Sequence, residues 1–416
     1  MKISYVGATH LGICHAIAAA KKNNKVVLYD ENVSTLNNIK NLKFSFYEPK
    51  LLKLFKSCKK NILITNDVKL LNKTDIIYIA KDTPTNSKNQ SDFSEINRII
   101  RKVRDNVKKN KIIVILSQVY PGFTEKIKWS KKKIFYQVET LIFGMAMKRA
   151  LTPEQIILGG YKLRKYLNKE NLLFKFLQQY KCPIHLMNYK SAELSKISIN
   201  LYLISSISLT NTLSEICEKI GANWHQIKKI LHKDQRIGKK AYLSPGLGVL
   251  SGNLQRDLQN SIKIQKKFNC KSGVLKSFDK NSHLRNSWAI EILDKIKNVN
   301  SRIGIFGLTY KENISFLVNS PAIRIINKFK KNKFLLFDPV VKKIDLNLKN
   351  FYFENDLKNF FKNSDILMIL TPWQMIKERD NQIILSKHYN GKFIIDPYNT
   401  LNKKILKKIK IFSMGI

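Results

Sequence analysis

Short apolar segments alternate with helix-like segments through the first part of the chain. Residues 1–6 predict a buried strand, the stretch from Gly7 to Gly12 predicts a turn, and residues 13–22 predict a helix. Strands that alternate with helices are typical of an α/β fold with a doubly wound parallel sheet. Further strands are predicted at 25–29, 62–64, 76–80, 112–116 and 156–158, and a helix at 95–107.

The middle of the chain has a different pattern. Residues 190–230 carry apolar side chains at three- and four-residue spacing, and they contain no glycine or proline before Gly221. This spacing predicts one long helix, which is too long to be the crossover between two parallel strands. Long central helices often bury one face against a second subunit, so the pattern also favours a homodimer.

Alternation of strands and helices begins again at residue 302. We therefore expect two Rossmann-like α/β domains joined by a helical dimerisation domain, with boundaries at 1–188, 189–297 and 298–416. The later strands are predicted at 303–306, 334–337, 366–370 and 393–395, and a helix at 320–328.

Length and composition are consistent with this organisation. The protein has 416 residues, 44% of them hydrophobic, which suits two or three domains. No apolar stretch approaches the ~20 residues of a membrane span. The N-terminal apolar run is similar to a signal peptide, but His10 and His15 interrupt it. The five cysteines are scattered and form no C-x-x-C pair, so we expect no disulfide framework, no metal site and a reducing, cytoplasmic environment.

The net charge of +45 arises from 75 Lys and Arg against 30 Asp and Glu. A charge of this size is typical of proteins that bind nucleic acid or an anionic membrane. The lysines, however, lie in almost every segment, and the chain is also rich in Asn and Ile. Mutational drift in an AT-rich genome would enrich all three residue types. Drift does not account for the scarcity of acids, so a polyanion partner stays an alternative. An anionic nucleotide substrate would benefit from the same charge.

The turn after the first strand is similar to a dinucleotide-binding fingerprint. Gly7 and Gly12 match the first and third glycines of G-x-G-x-x-G, whereas Thr9 replaces the second. Asp30 ends the second strand, where an acid accepts hydrogen bonds from the adenosine ribose and repels a 2′-phosphate. The turn residues, Leu11 included, therefore predict an NAD site. The alternative is a βαβ unit that binds no nucleotide.

Further short motifs follow in order as far as residue 399. They are Tyr47-Glu48-Pro49, Asp82-Thr83-Pro84-Thr85, Ser117 with Pro121-Gly122-Phe123-Thr124, Glu139-x-Leu141 with Gly144, Pro153 to Gly159, Ala192-Glu193-Leu194 with Lys196 and Asn200, Pro245-Gly246-Leu247-Gly248 through Asp257, Gly307 to Lys311 with Ser320-Pro321, Asp338-Pro339, and Asp396 with Asn399. With the first turn, this series resembles the motifs of the UDP-glucose/GDP-mannose dehydrogenase family along nearly the whole chain.

The resemblance implies that the N-terminal domain binds NAD, with Thr83, Pro84 and Ser117 among its contacts. It also implies that the central helix forms the dimer and that the C-terminal domain holds the nucleotide of a sugar substrate. The family oxidises the primary alcohol of a nucleotide sugar to a carboxylate, in two hydride transfers to two NAD. The substrate contacts implied by the motifs are Leu141, Gly246, Gly248, Arg256 and Lys311.

Four residues match catalytic positions of the family. Lys196 and Asn200, one helical turn apart, match residues that steady the oxyanion and the hydrolytic water. Asp257 matches the carboxylate beside the nucleophile, and Glu139 matches a glutamate implicated in thioester hydrolysis. The alternative is that Glu193 and Lys196 are only an ion pair on a helix surface.

The family nucleophile, a cysteine, has no counterpart here. Alignment on Pro245-Gly246 and on Asp257 places Asn253 at its position, and an amide is not a useful nucleophile. Leu250 replaces a glycine of the substrate loop, where we expect its side chain to obstruct the backbone. Other replacements of family residues are Gln118 for Thr, Phe143 for Glu, Ser315-Phe316 for two Asp, and Val318 and Tyr398 for two Arg.

Three hypotheses follow from these motifs and their departures. The first is a dehydrogenase that retains one hydride transfer and stops at the aldehyde. The second is a non-catalytic homologue that binds a nucleotide or regulates a partner enzyme. The third is a polyanion-binding protein, nucleic acid included, on the same scaffold.

Overall fold

The computed structural model describes residues 1–84, 91–168, 170–344, 350–406 and 409–416. Two compact units are present, Met1–Ile199 and Asn200–Ile416. Thr85, the last residue of one family motif, lies outside the described residues. The division into three domains stays a prediction.

The first unit is built on an eight-stranded sheet. Its strands are β1 (Lys2–Val6), β2 (Lys25–Tyr29), β3 (Ile62–Thr65), β4 (Ile76–Ile79), β5 (Ile112–Ile115), β6 (Ile134–Gln137), β7 (Ile156–Gly159) and β8 (Ile184–Met187). Their order is β3-β2-β1-β4-β5-β6-β7-β8. The strand order reverses between β1 and β4, and in such sheets ligands bind at the carboxyl ends of the strands beside this point.

Helices surround the sheet of the first unit. They are α1 (His10–Lys21), α2 (Val33–Lys40), α3 (Leu51–Cys58), α4 (Ser94–Asn106), α5 (Ala146–Leu151), α6 (Leu163–Tyr166), α7 (Leu172–Gln178) and the start of α8 (Tyr189–Ile220). β1, β4 and β5 are almost wholly buried because their apolar side chains face helices on both sides of the sheet.

The single helix expected over 190–230 is in fact two helices. α8 ends at Ile220, and Gly221 adopts a φ of +77°, the left-handed conformation that commonly ends a helix. Asn223 then accepts hydrogen bonds from the N–H groups of His225 (2.9 Å) and Gln226 and so begins α9 (Trp224–Lys233).

A six-stranded sheet forms the centre of the second unit. Its strands are β9 (Arg302–Phe306), β10 (Lys333–Phe337), β11 (Phe351–Phe353), β12 (Ile366–Ile369), β13 (Phe393–Ile395) and β14 (Lys410–Phe412). Every pairing in the order β11-β10-β9-β12-β13-β14 is parallel. The helices after α9 are α10 (Gly252–Lys267), α11 (Val274–Ile296), α12 (Pro321–Lys328), α13 (Leu357–Lys362), α14 (Gln374–Lys377) and α15 (Arg379–His388).

Two sheets and a long helix confirm the predicted fold class, with corrections. The first sheet is not wholly parallel, because β6 and β7 are antiparallel. Four strands were not predicted: β6, β8, β11 and β14. β11 and β14 are three-residue edge strands, too short for a clear alternating pattern, and β8 is only partly buried. Within the described ranges, no helix is both long enough and apolar enough to span a membrane.

Candidate active site

The turn between β1 and α1 requires both of its matched glycines. Gly7 has a φ of +118° and donates its N–H to Tyr29 O (2.8 Å). A Cβ on Gly7 would lie 2.7 Å from Ala80 O, and a Cβ on Gly12 would lie 1.9 Å from Gly7 O. The backbone therefore passes this point with no room for a side chain, as a dinucleotide-binding turn requires.

Thr9 is a structural part of this turn. Its hydroxyl donates to Ala80 O (2.7 Å) and accepts from the N–H of Gly12 (3.2 Å), so it caps α1. Capping explains why α1 begins at His10, three residues before the predicted start. Because the hydroxyl proton is bound to Ala80 O, the Thr9 side chain is not free to donate to a phosphate. Leu11 is the second residue of α1, and it is buried.

Asp30 lies at the carboxyl end of β2, and its side chain is almost fully buried. Its Oδ2 accepts from the N–H of Ala8 (2.8 Å) and its Oδ1 from the N–H of Asn32 (3.0 Å). These bonds hold the carboxylate beside the turn, where a ribose would be recognised.

The remaining predicted cofactor contacts follow β4 and β5. Thr83 donates its hydroxyl to Gln118 O (2.8 Å), and Ser117, fully buried, donates to Lys81 O (2.6 Å). Pro84 is exposed beside them. The loops after two neighbouring strands are therefore tied together at the carboxyl edge of the sheet.

A second turn of the same design occurs in the other unit. Gly307 has a φ of +90° and donates its N–H to Phe337 O (2.8 Å). Leu308 donates its N–H to Asp338 Oδ2 (2.8 Å). These bonds reproduce those that Gly7 and Asp30 make in the first unit. Each unit thus carries a nucleotide-binding type of turn, although the sequences around the two turns are not close repeats.

Glu139 lies in a largely buried position, with 17% of its side chain exposed. Its Oε1 accepts from the N–H of Leu141 and lies 4.0 Å from His15 Nε2. Burial raises the pKa of Glu139, but His15 and the positive charge of Lys196 outweigh burial and lower the pKa below its usual value. The carboxylate is therefore ionised at neutral pH, the state in which it accepts a proton.

Glu193 connects the loop after β5 to α8. It is fully buried, and its carboxylate accepts from the backbone N–H groups of Gly122 and Thr124, the latter at 2.8 Å. Burial raises the pKa of Glu193, and these hydrogen bonds offset part of that rise. The alternative of a surface ion pair between Glu193 and Lys196 is therefore wrong, since Glu193 has no exposed surface.

Three predicted residues of the second unit meet in one buried cluster. Asn200 Nδ2 donates to Asp257 Oδ2 (2.5 Å), and Arg256 Nε lies 3.5 Å from Asp257 Oδ1. All three residues are at most 6% exposed. Because a buried charge requires partners, Asp257 is stabilised by the amide and the guanidinium together.

Asn253 is the second residue of α10, and its side chain is exposed. A helix N-terminus favours a negative charge, so this position would suit a thiolate, but the amide is neutral. Leu250, expected to obstruct the substrate loop, is instead 7% exposed and packs in the core beneath the second sheet. That expectation is therefore wrong, because the side chain points into the unit.

The glycines of the same loop are closely packed. Gly246 donates its N–H to Asn211 Oδ1 (2.9 Å), and a Cβ there would lie 3.2 Å from the Tyr398 ring. Gly248 has a φ of +80°, and a Cβ there would lie 2.5 Å from Ser282 O. Gly248 therefore requires glycine, because its φ is positive and its Cβ would meet backbone. A Cβ at Gly246 would need the Tyr398 ring to shift by only a few tenths of an ångström.

The chain is similar to known proteins along nearly its whole length. Three sequence models of one family match the chain: its NAD binding domain at residues 1–177, its central domain at 190–282 and its UDP binding domain at 304–403. The chain belongs to the UDP-glucose/GDP-mannose dehydrogenase family. Its membership supports NAD-dependent nucleotide-sugar dehydrogenase activity at the level of the family.

Relatives of the chain match it along nearly its whole length. UDP-glucose 6-dehydrogenase of Rickettsia prowazekii is 29% identical, over 98% of each chain. UDP-N-acetyl-D-mannosamine dehydrogenase of Methanococcus vannielii is 27% identical, over 100% of this chain and 97% of the relative. A UDP-glucose dehydrogenase structure from Pyrobaculum islandicum has a TM-score of 0.86 at 21% identity, over 99% and 96% of the two chains, and supports the fold.

The NAD-binding domain of this family indicates NAD as the cofactor. The first turn fits that cofactor, because Gly7 and Gly12 leave the backbone open and Asp30 offers a carboxylate to the ribose. NAD supplies a hydride acceptor when it is bound. Among the residues that the structure describes, no group of three or more His, Cys, Asp or Glu is arranged to hold a metal ion.

Three residues of the second unit stand at positions where the family is expected to contact its substrate. Lys311, predicted to contact substrate, follows the second turn, and its carbonyl accepts from the Thr309 hydroxyl (2.7 Å). Val318, in place of an arginine, is 62% exposed. Tyr398, in place of the other arginine, donates its hydroxyl to Leu370 O (3.4 Å). Neither replacement supplies the bidentate fork with which arginine binds phosphate.

Two residues near the site were not assigned a role from the sequence. Glu48 accepts from the N–H groups of Gly144 (2.9 Å) and Ala146 (2.7 Å), and its Oε2 lies 3.1 Å from His10 Nε2. Glu48 belongs to the Tyr-Glu-Pro motif, so a signal for it was present. His15, beside Glu139, gave no such signal, because a lone histidine in an apolar helix does not reveal its neighbour.

Proposed function

We propose that the protein is an NAD-dependent nucleotide-sugar dehydrogenase that oxidises the primary alcohol of a UDP-sugar. The observation that carries this proposal is the pair of matching turns at Gly7 and Gly307, because the reaction needs one site for NAD and one for the substrate nucleotide. Relatives named UDP-glucose 6-dehydrogenase support UDP-glucose as the substrate. We propose that the product serves as a polysaccharide precursor.

In this proposal each residue that matches a catalytic position of the family has a specific task. The Lys196 ammonium stabilises the negative charge that develops on the alcohol oxygen as its proton leaves. Ionised Glu139 accepts a proton, either from the alcohol or from a water molecule. Asn200 and Asp257 hold one another and orient water. Arg256 balances the charge of Asp257.

We further propose that oxidation stops at the aldehyde. In the family the thiol traps the aldehyde, and the resulting adduct gives up the second hydride. Asn253 stands at that position and its amide does not form such an adduct. Hydration of the free aldehyde is the only remaining route to a second transfer, and it lacks covalent assistance.

The second candidate function is a non-catalytic homologue that binds nucleotide or regulates a partner enzyme. Asn253 favours it, together with Val318 and Tyr398 at the positions of two arginines. A polyanion-binding role is the third candidate, and the net charge of +45 favours it.

A homodimer in the cytoplasm completes the proposal. Four apolar side chains of α8 that repeat at seven- and four-residue spacing are 47–80% exposed: Tyr202, Leu209, Ile216 and Ile220. They lie on one face of the helix, and a second copy of the chain would bury them. All five cysteines are free, as suits a reducing compartment. The three matched family models support the three-domain division.

The decisive experiment is the yield of NADH per molecule of sugar, measured by absorbance over a panel of UDP- and GDP-sugars. We expect one NADH per sugar from the natural chain. Asn253→Cys should raise the yield to two, whereas the matched control Asn253→Ser should leave it at one. Lys196→Ala should abolish NADH formation in every case.

Other yields would change the assignment. Two NADH from the natural chain would contradict the role given to Asn253. No NADH, with NAD binding intact, would favour the non-catalytic homologue. Tight binding of RNA or DNA with a steep salt dependence would favour the polyanion-binding protein.

A further inference from the structure

Asp30 is followed by a second acid, Glu31, at the carboxyl end of β2. Asp30 accepts hydrogen bonds from the N–H groups of Ala8 and Asn32, and Lys81 Nζ lies 3.4 Å from its Oδ2. Glu31 makes a different set of contacts, and neither family motifs nor the dinucleotide fingerprint assign it a role.

Glu31 binds two cations of α4 with its two oxygens. Arg98 Nη2 donates to Oε2, and Lys102 Nζ donates to Oε1 at 2.6 Å. The bond from Arg98, and then that from Lys102, lower the pKa of Glu31 to about 2. Glu31 is therefore ionised throughout the physiological range and holds both cations.

The charges at this end of the site are balanced. Lys81 lies between Asp30 and Glu95, 3.2 Å from the latter, and Arg98 also approaches Glu95 at 3.7 Å. Three cations thus face three carboxylates. The 2′-phosphate of NADP would bring a further charge of about −1.5 to −2. In Rossmann domains an arginine near the ribose accommodates this phosphate. Here Arg98 is already hydrogen-bonded to Glu31.

We propose that Glu31 is a specificity-determining residue for the cofactor: by binding Arg98 and Lys102 it denies them to a 2′-phosphate, and so the protein selects NAD over NADP. Asp30 contributes repulsion, as an acid at this position does in general. Glu31 competes with the phosphate, because the phosphate can bind Arg98 and Lys102 only if the Glu31 carboxylate releases them. The inference depends on NAD binding by this domain and not on catalysis.

The test is titration of the full chain with NAD and with NADP by calorimetry. For Glu31→Gln we expect the Kd for NADP to fall by about tenfold or more, since two charge-assisted donors are released from a charged partner. The Kd for NAD should change by less than about threefold, because the 2′-hydroxyl does not need these cations. Glu31→Ser serves as a second variant in case the glutamine variant folds poorly.

Glu95→Gln is the matched control. It removes the same charge from the same group of residues, but it leaves Arg98 and Lys102 bound to Glu31. We expect no gain in NADP binding from it, and we expect Arg98→Ala to cancel the gain in the Glu31→Gln protein. Equal gains from Glu95→Gln and Glu31→Gln would show that net charge alone decides, which overturns the proposal.

Two further outcomes would also overturn it, and they are distinguishable. Retained NAD binding with no gain for NADP in either Glu31 variant would refute the role of Glu31 alone. No NAD binding by the natural chain would refute the cofactor site itself. NAD binding without NADH formation would contradict only the proposed catalysis and would leave the role of Glu31 unaffected.

Discussion

Asp396 is a buried carboxylate whose replacement by asparagine should change how the stability of the protein depends on pH. Its Oδ2 accepts from the N–H groups of Thr400 (2.6 Å) and Leu401 (3.0 Å), and its Oδ1 accepts from the Thr400 hydroxyl (3.1 Å). Burial raises the pKa of Asp396 from 3.8 to about 6, although these hydrogen bonds lower it in part. At neutral pH the folded state therefore carries an ionised group that burial disfavours.

Asparagine would preserve each of these three hydrogen bonds. The amide oxygen would take the place of Oδ2 and accept from both N–H groups. The amide nitrogen would take the place of Oδ1 and donate to the Thr400 hydroxyl, which is able to accept instead of donate. Asp396→Asn therefore removes the charge and keeps these three hydrogen bonds. The backbone N–H of Tyr398 also bonds the carboxylate, and the amide weakens that bond at every pH, because an NH2 group does not accept.

The magnitude follows from the pKa. A rise from 3.8 to about 6 corresponds to about 3 kcal/mol. Between these two pH values the folded state binds the proton and the unfolded state does not, so the free energy of unfolding falls as pH rises. Relative to that of the natural chain, the free energy of unfolding of Asp396→Asn should therefore be about 3 kcal/mol higher above pH 7 than it is near pH 4.

Guanidinium unfolding of both proteins between pH 4 and pH 8, followed by circular dichroism, measures this difference. Asp396→Ala is the control, because it removes the charge but leaves the N–H groups of Thr400 and Leu401 unpaired, at about 1–3 kcal/mol each. A difference between Asp396→Asn and the natural chain that does not change with pH would refute the reasoning.

Three other substitutions test the first unit. Gly12→Ala should weaken NAD binding by more than about tenfold, because its Cβ would meet Gly7 O at 1.9 Å, whereas the control Gly252→Ala should bind NAD normally by calorimetry. Glu193→Gln should lower the free energy of unfolding by about 1–3 kcal/mol, since its NH2 group would face a backbone N–H, and unchanged stability would contradict this. His15→Leu should raise the pKa of Glu139, as followed by ¹³C NMR titration, and an unchanged pKa would remove His15 as its partner.

The sequence predicted those features that depend on neighbouring residues in the chain. Alternating apolar segments located most of the strands, because a buried strand is apolar wherever it pairs. Gly7, Gly12 and Asp30 indicated a nucleotide site, because the turn needs glycine for steric reasons that hold in any such βαβ unit. The order of the short motifs indicated the family, which the matching domains confirm.

Only the tertiary structure decided which side chains face one another. Asn200 meets Asp257 across 57 residues of chain, and Glu193 meets Thr124 across 69. Arg98 and Lys102 reach Glu31 in the same way, from a helix that packs beside the end of β2. Local patterns contain no information on such pairs, since hydrogen bonds between distant residues depend on how the chain closes its sheets and packs its helices.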